Sequence, residues 1–161
     1  MTRYELVTIA AVSMIGLYLL MLRGWRNRQR RQAFLPEPPR ATGDATTVVG
    51  AVPGLFVGTT FAGDWLNRVA AHRLCDRATA ELSVKTDGVH IDRDGAPEIY
   101  LPHDAITEAA PGDKLAGKVM GQNGLLLITW RLGETLLTSG FRADDHSQHQ
   151  RLADALSKVA A

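Results

Sequence analysis

The stretch Leu125-Leu126-Leu127-Ile128-Thr129-Trp130-Arg131-Leu132, then Gly133-Glu134, then Thr135-Leu136-Leu137-Thr138-Ser139-Gly140-Phe141 reads as a β-hairpin. Both arms are rich in β-branched, aromatic and apolar residues, and the Gly-Glu pair between them is a turn signal. The first arm is the most apolar segment outside the N-terminal region, which predicts a central strand. Immediately afterwards the period changes. Asp144 and Asp145 suit a helix start, where carboxylates favour the macrodipole, and Leu152, Leu156 and Val159 recur at helical spacing.

Working back from the hairpin, more strands come into view. Ala80, Leu82 and Val84 alternate with Glu81, Ser83 and Lys85, the pattern of a half-buried strand. Asp87-Gly88 turns it into a strand holding Val89 and Ile91, and Asp94-Gly95 marks a further turn before Glu98-Ile99-Tyr100-Leu101. Pro102 interrupts, and Ala105 to Ala109 read as a short strand. Residues 111–124, with Gly112, Gly117, Gly121 and Gly124, read as loop or irregular edge. Leu55 to Phe61 is a strand after a Pro53-Gly54 break. Between it and Ala80, Asp64 is an expected N-cap for a short helix with Leu66, Val69, Ala70 and Leu74 on one face. Together these predict an antiparallel β-barrel or sandwich of about six or seven strands, capped by a C-terminal α-helix.

The N-terminal region is of another kind. Leu6 to Met21, closed by Leu22, carries no charge. A spanning helix needs ~20 apolar residues, within a range of ~17–25, so residues 6–22 read as a single transmembrane helix. Tyr4 and Trp25 flank the run where amphipathic aromatics meet a membrane interface. Arg23, Arg26, Arg28, Arg30 and Arg31 follow, with no small-residue cleavage site, so the run reads as an uncleaved anchor rather than a signal peptide. Arg3 alone stands on the other side. The positive-inside rule then puts residues 1–5 outside as a short exported N-terminus, with the C-terminal part in the cytoplasm at the plasma membrane. Residues 23–45 are a basic juxtamembrane segment and a linker in which Pro36, Pro38 and Pro39 favour extended geometry. The cytoplasmic domain begins at 46 and runs to 161.

Charge follows the same division. Residues 23–43 carry six Arg against Glu37, a sum of +5, whereas residues 44–161 carry eleven Lys or Arg against fifteen Asp or Glu, a sum of −4. The basic stretch suits an anionic leaflet, and the acidic domain argues against nucleic acid as a partner. Cys75 is the single cysteine, so no intrachain disulfide forms, which suits a reducing compartment.

Several constellations bear on possible chemistry. His146 and His149 stand at i and i+3 beside Asp145, but His149 shares the face of Leu152 and no third ligand has the right spacing for a metal. His103-Asp104 lacks an activated nucleophile. Lys114 and Lys118 among the glycines match neither the P-loop nor the dinucleotide fingerprint. No cofactor, metal or catalytic residue is expected, and the chain is read as non-enzymatic.

The order of elements resembles a pleckstrin-homology-like (PH-like) domain. The chain also resembles a family of small actinobacterial membrane proteins with one N-terminal helix and a PH-like domain. The likeness is carried by Val57-Gly58-Thr59-Thr60, Gly63-Asp64-Trp65-Leu66, Ala116-Gly117-Lys118, Thr129-Trp130-Arg131-Leu132-Gly133 and Gly140-Phe141-Arg142. Some members carry a transporter or export label, which one helix does not justify. The chain departs from phosphoinositide-binding PH domains: the Lys and Arg cluster of their first hairpin is missing, and so is the Trp of their last helix. The expected function is therefore a membrane-anchored, non-catalytic interaction module presenting the domain to a protein partner. The surface for that partner is expected at Trp65, Arg68, His72, Arg73 and Arg77, with Lys114 and Lys118 from the Gly-rich loop. The alternatives are an anionic-lipid or small-ligand sensor at the bilayer, and an accessory subunit of a transport or export system.

Overall fold

A computed structural model describes residues 3–41, 43 and 45–159 of the chain. They fall into two compact units, the first ending at Phe34 and the second beginning at Leu35.

The first unit is α1 (Arg3–Arg31) and the turn that follows it. Its 29 residues span about 44 Å at ~1.5 Å per residue, longer than a hydrocarbon core of ~30 Å. Large apolar side chains are exposed all round it, among them Val7, Leu17 and Leu20. A helix apolar on every side belongs in lipid or in a large core, and α1 is long and apolar enough to cross a membrane. The helix does not stop at the end of the apolar run. It continues through Arg23, Trp25, Arg26, Arg28, Arg30 and Arg31, so Arg23, Arg26 and Arg30, spaced by three and four, share one face. Met1 and Thr2, within the N-terminal segment read as exported, lie outside the described residues.

The second unit is a sheet of seven antiparallel strands in the order β4-β3-β2-β1-β9-β8-β5. The strands are β1 (Thr47–Phe61), β2 (Ala78–Lys85), β3 (Gly88–Arg93), β4 (Ile99–Pro102), β5 (Ile106–Gly112), β8 (Leu125–Leu132) and β9 (Thr135–Ala143). A small hairpin of β6 (Lys114–Leu115) and β7 (Lys118–Val119) interrupts the run, and α2 (Gln148–Val159) ends it. The hairpin read from the sequence is β8–β9, paired from Leu126–Phe141 to Leu132–Thr135. The sheet is not closed into a barrel. β4 and β5 are its two edges, and Pro111 sits on the β5 edge, where its missing N–H costs no ladder bond.

β1 joins the two halves. Residues Thr47 to Phe56 pair with β2, and Gly54 to Phe61 pair with β9. Pro53 and Gly54 therefore lie inside a strand, not at the break expected before Leu55. Gly54 is required there: a Cβ would sit 2.2 Å from the Arg142 carbonyl oxygen and 2.7 Å from the Phe141 ring. The inner face carries Phe56, Leu82, Ile91, Leu101, Trp130 and Phe141, all 1 % exposed or less. Leu152 and Leu156 of α2 close this core from the side of β5 and β8, each contributing roughly 1.5–3 kcal/mol by burial. The side chain of Val159, expected on the same face, lies outside the described residues. Leu35, in the stretch read as linker, is also in the core at 2 % exposure.

The helix expected after Asp64 does not form. Asp64 does accept a hydrogen bond from the Leu66 N–H (3.2 Å), but it organises a turn. Thr60 and Arg68 then form an isolated bridge, and the Val69 N–H donates to the Thr59 carbonyl (2.9 Å). A single 3₁₀ turn covers Ala71–Arg73, with His72 and Arg73 at φ 52° and 58°. Short helices are marginal in isolation, and here the bonds to β1 and the burial of Val69, Ala70 and Leu74 win. Leu66, expected on the same buried face, is 60 % exposed.

Candidate functional site

The outer face of β1, β9 and β8 is covered in part by the β6–β7 hairpin. Leu115 and Ala116 pack there on Val57 and Leu125, with Met120 and Leu127 at the border, forming a second small core. Gly140 makes room for Leu115. The hairpin is tied to the turn after β1 by polar bonds: the Arg68 Nε donates to the Ala116 carbonyl at 3.0 Å, its Nη2 donates to the same oxygen, and the Gly117 N–H donates to the Trp65 carbonyl at 3.3 Å. The Lys114 ammonium lies over the Trp65 ring, 5.4 Å from its centroid. Trp65, Arg68 and Lys114, separated by about fifty positions in sequence, thus meet in one place.

Beside this junction runs a cleft of about 380 Å³. Its floor is a row of side chains in register across four strands: Thr60 opposite Thr138, Thr138 opposite Thr129, and Thr129 opposite Glu108. The Thr129 and Thr138 hydroxyls are 3.1 Å apart and bonded to each other. Thr60 is 1 % exposed, and its Oγ1 is buried with no hydrogen-bond partner among the described residues. Trp65, Ala110, Pro111, Asp113, Lys114 and Leu115 also line the cleft. Leu66, and Val119 on the hairpin itself, are exposed, at 60 % and 70 %.

The remaining residues expected at this surface lie elsewhere or stand free. His72 bonds through Nε2 to the Leu35 carbonyl (2.9 Å), and Arg73 pairs with Asp76 (2.7 Å) while donating to the Gly95 carbonyl (3.0 Å). Both line a separate groove of about 260 Å³ beside Pro38, Pro39, Arg93 and Pro97. Arg93, at 3 % exposure, donates to the carbonyls of Pro97 and Arg73. Burial lowers its pKa, and the Asp76 carboxylate works against that shift. Arg77 and Lys118 are exposed.

The histidines are structural in their bonding. His149 is 1 % exposed; its Nε2 accepts the Ala143 N–H (2.9 Å), which leaves Nδ1 to donate to the Asn123 carbonyl (2.9 Å). Both ring nitrogens are thereby used, and the His146 ring merely packs edge-on at 5.5 Å. Burial pushes the His149 pKa below its ordinary value. Asp145, next to them, accepts from the Ser147 hydroxyl and N–H, which lowers its pKa. The His103 Nε2–H donates to the Lys85 carbonyl (2.8 Å), while its buried Nδ1 has no hydrogen-bond partner among the described residues.

One cluster escaped sequence reading. His90, at 5 % exposure, has Nδ1 2.8 Å from a Glu98 oxygen and Nε2 3.0 Å from an Asp87 oxygen. Tyr100 stacks at 4.9 Å and donates to the Asp87 carbonyl. Burial works to raise the Asp87 pKa, but the hydrogen bond and charge of His90 outweigh it and hold it below the usual value. The only sequence signal was an Asp three places before a His across a turn, which is too common to single out.

The architecture is that of a PH-like domain: a seven-stranded antiparallel sheet with a long shared first strand and one C-terminal helix over the core. The Bacterial PH domain-like family matches residues 32–157, and the chain belongs to that family. That match begins three residues before Leu35, where the compact unit starts. No curated protein matches the chain.

Proposed function

We propose that the protein is a membrane-anchored, non-catalytic interaction module, with α1 crossing the plasma membrane and the PH-like domain on the cytoplasmic side. The charge asymmetry about the apolar run supports that orientation. The partner is a protein, and its docking surface is the cleft at Trp65 and the β6–β7 hairpin. The observation that carries this reading is the buried, unpartnered Thr60 hydroxyl at the floor of a cleft lined by Trp65. Buried polar groups ordinarily find partners, and convergent polar groups in a concavity suit a binding site. Anchoring raises the local concentration of the domain, so a modest interface suffices.

The lipid-sensor reading draws less support. Of the arginines invoked for it, Arg68 is bonded to the hairpin and Arg73 to Asp76, which leaves Arg77.

The test is mild crosslinking and affinity capture of the tagged full-length protein from native membranes, beside Trp65→Ala and Lys118→Glu variants. Arg68 is left intact because it holds the hairpin. A protein enriched by wild type and lost with Trp65→Ala supports the reading. Capture of anionic lipid alone, or a protein capture indifferent to Trp65, sinks it.

A further inference from the structure

The cleft has a chemical bias that points to the kind of group it receives. Glu108 and Asp113 place two exposed carboxylates on it, and among the described residues neither has an ion pair. Among the described residues of its lining the one cation, Lys114, lies over the Trp65 ring. An aromatic face attracts an ammonium or guanidinium through its quadrupole, and most strongly when that face is Trp. An anion entering the cleft would meet two carboxylates against one ammonium. A purely apolar occupant would leave the Thr60 hydroxyl without a partner. A cation-bearing chain meets every requirement: its charge faces Glu108 and Asp113, its stem lies along Leu127 and Pro111, and its polar backbone reaches the threonine row.

We propose that the cleft receives a lysine or arginine side chain of the partner protein, and that Lys114 is an internal cation holding the Trp65 face until the partner's cation displaces it. This rests on the cleft being the partner surface. The domain's own charge of −4 over residues 44–161 draws a basic segment toward it.

The proposal makes an unusual sign prediction. If Lys114 competes with the ligand, Lys114→Ala tightens binding; if Lys114 is itself a ligand contact, the same change weakens it. The test uses the full chain in nanodiscs of neutral phosphatidylcholine, with methyl-labelled threonine read by NMR. The probes are N-acetyl triarginine amide, N-acetyl triglutamate amide and spermidine. The expected result is that triarginine shifts Thr60, Thr129 and Thr138, while triglutamate does not. Glu108→Gln with Asp113→Asn weakens binding by about tenfold, the scale of losing charge-assisted contacts, and Lys114→Ala strengthens it. Both carboxylates are exposed, so their neutral variants keep the fold. Binding of triglutamate, weakening by Lys114→Ala, or no response to triarginine overturns the proposal. Spermidine binding as tightly as triarginine overturns a protein-borne cation in favour of a free amine. Membrane capture that depends on Trp65 while triarginine fails to bind sinks this inference alone; an empty capture with triarginine bound sinks the protein-partner reading.

Discussion

Leu115 occupies the space that any side chain on Gly140 would need: a Cβ built on Gly140 lies 2.5 Å from Leu115 Cδ2. Gly140 is in the middle of β9, where glycine ordinarily weakens a strand, so its place there is explained by the knob above it. Leu115 is 2 % exposed and anchors the β6–β7 hairpin over the outer sheet face. Gly140→Ala is expected to push the hairpin outward and destabilise the domain by about 1–3 kcal/mol, as overpacking does. Thermal unfolding measures the loss, and hydrogen exchange of Leu115 and Gly117 should rise more than that of the β2–β3 pair. Equal acceleration in both places would show that the hairpin is not separately anchored by this contact.

The second tie on the hairpin is polar. The Arg68 guanidinium donates twice to the Ala116 carbonyl, where Ala116 holds φ 52°. A non-glycine residue in the left-handed region persists only when its surroundings fix it. Arg68→Met keeps the stem and removes the donors, with an expected cost of roughly 1.5–3 kcal/mol for bonds from a charged group. The Trp65 fluorescence should shift red as the hairpin loosens, measured in a Trp25→Phe background against a Trp25→Phe, Trp65→Phe control that gives the Trp130 emission. Unchanged stability would mean that the Gly117–Trp65 bond and Leu115 suffice alone.

These two ties explain which parts of the molecule were legible beforehand. The hairpin 125–141 and α2 could be read because the burial of Leu126, Ile128, Trp130 and Leu132, and of Leu152 and Leu156, follows periods of two and of three to four. The segment 64–77 misled because Leu66, Val69, Ala70 and Leu74 imitate a helical face, while the backbone is bonded to β1 instead. Trp65 and the Gly-rich loop were each legible as candidate surfaces, and the structure joins them. Their meeting was not legible, since it depends on Gly140 and Leu115, a contact between distant positions with no local pattern. His72 and Arg73 were drawn into the same surface by the assumed helix. With the helix gone, they turn to a different groove.

His149 gives a pH dependence with a definite sign. Its Nε2 accepts the Ala143 N–H, so the fold holds the ring neutral, and burial keeps its pKa below the ordinary 6.5. As pH falls, the unfolded chain takes up this proton before the folded one does. The contribution of His149 is therefore complete above about pH 6.5 and is lost as pH falls toward its folded pKa, with a slope of at most about 1.4 kcal/mol per pH unit. Denaturant unfolding between pH 7.5 and 5, compared with His149→Gln, isolates this term from the other histidines. The difference between the two proteins should shrink as pH falls. A difference that grows as pH falls would mean that the fold favours the protonated ring and that the tautomer assigned by its two bonds is wrong. A constant one would mean that folding leaves the pKa unshifted.

Thr60 separates stability from function. Its Oγ1 is buried without a hydrogen-bond partner among the described residues, while the neighbouring Thr129 and Thr138 hydroxyls bond to each other. Valine has nearly the same shape, so Thr60→Val removes the unsatisfied hydroxyl with little change in packing. Leaving a buried polar group unpaired costs about 1–3 kcal/mol, and its removal should return part of this, raising the unfolding free energy by about 1 kcal/mol. The same change deletes the group that a ligand would satisfy, so triarginine binding should weaken. Stability up and binding down is the pattern of a residue kept for function at some cost to the fold. Thermal unfolding and NMR titration on one preparation read both signs. A destabilised Thr60→Val protein would mean that ordered water already satisfies the hydroxyl, and Thr60 would then offer no argument for a ligand.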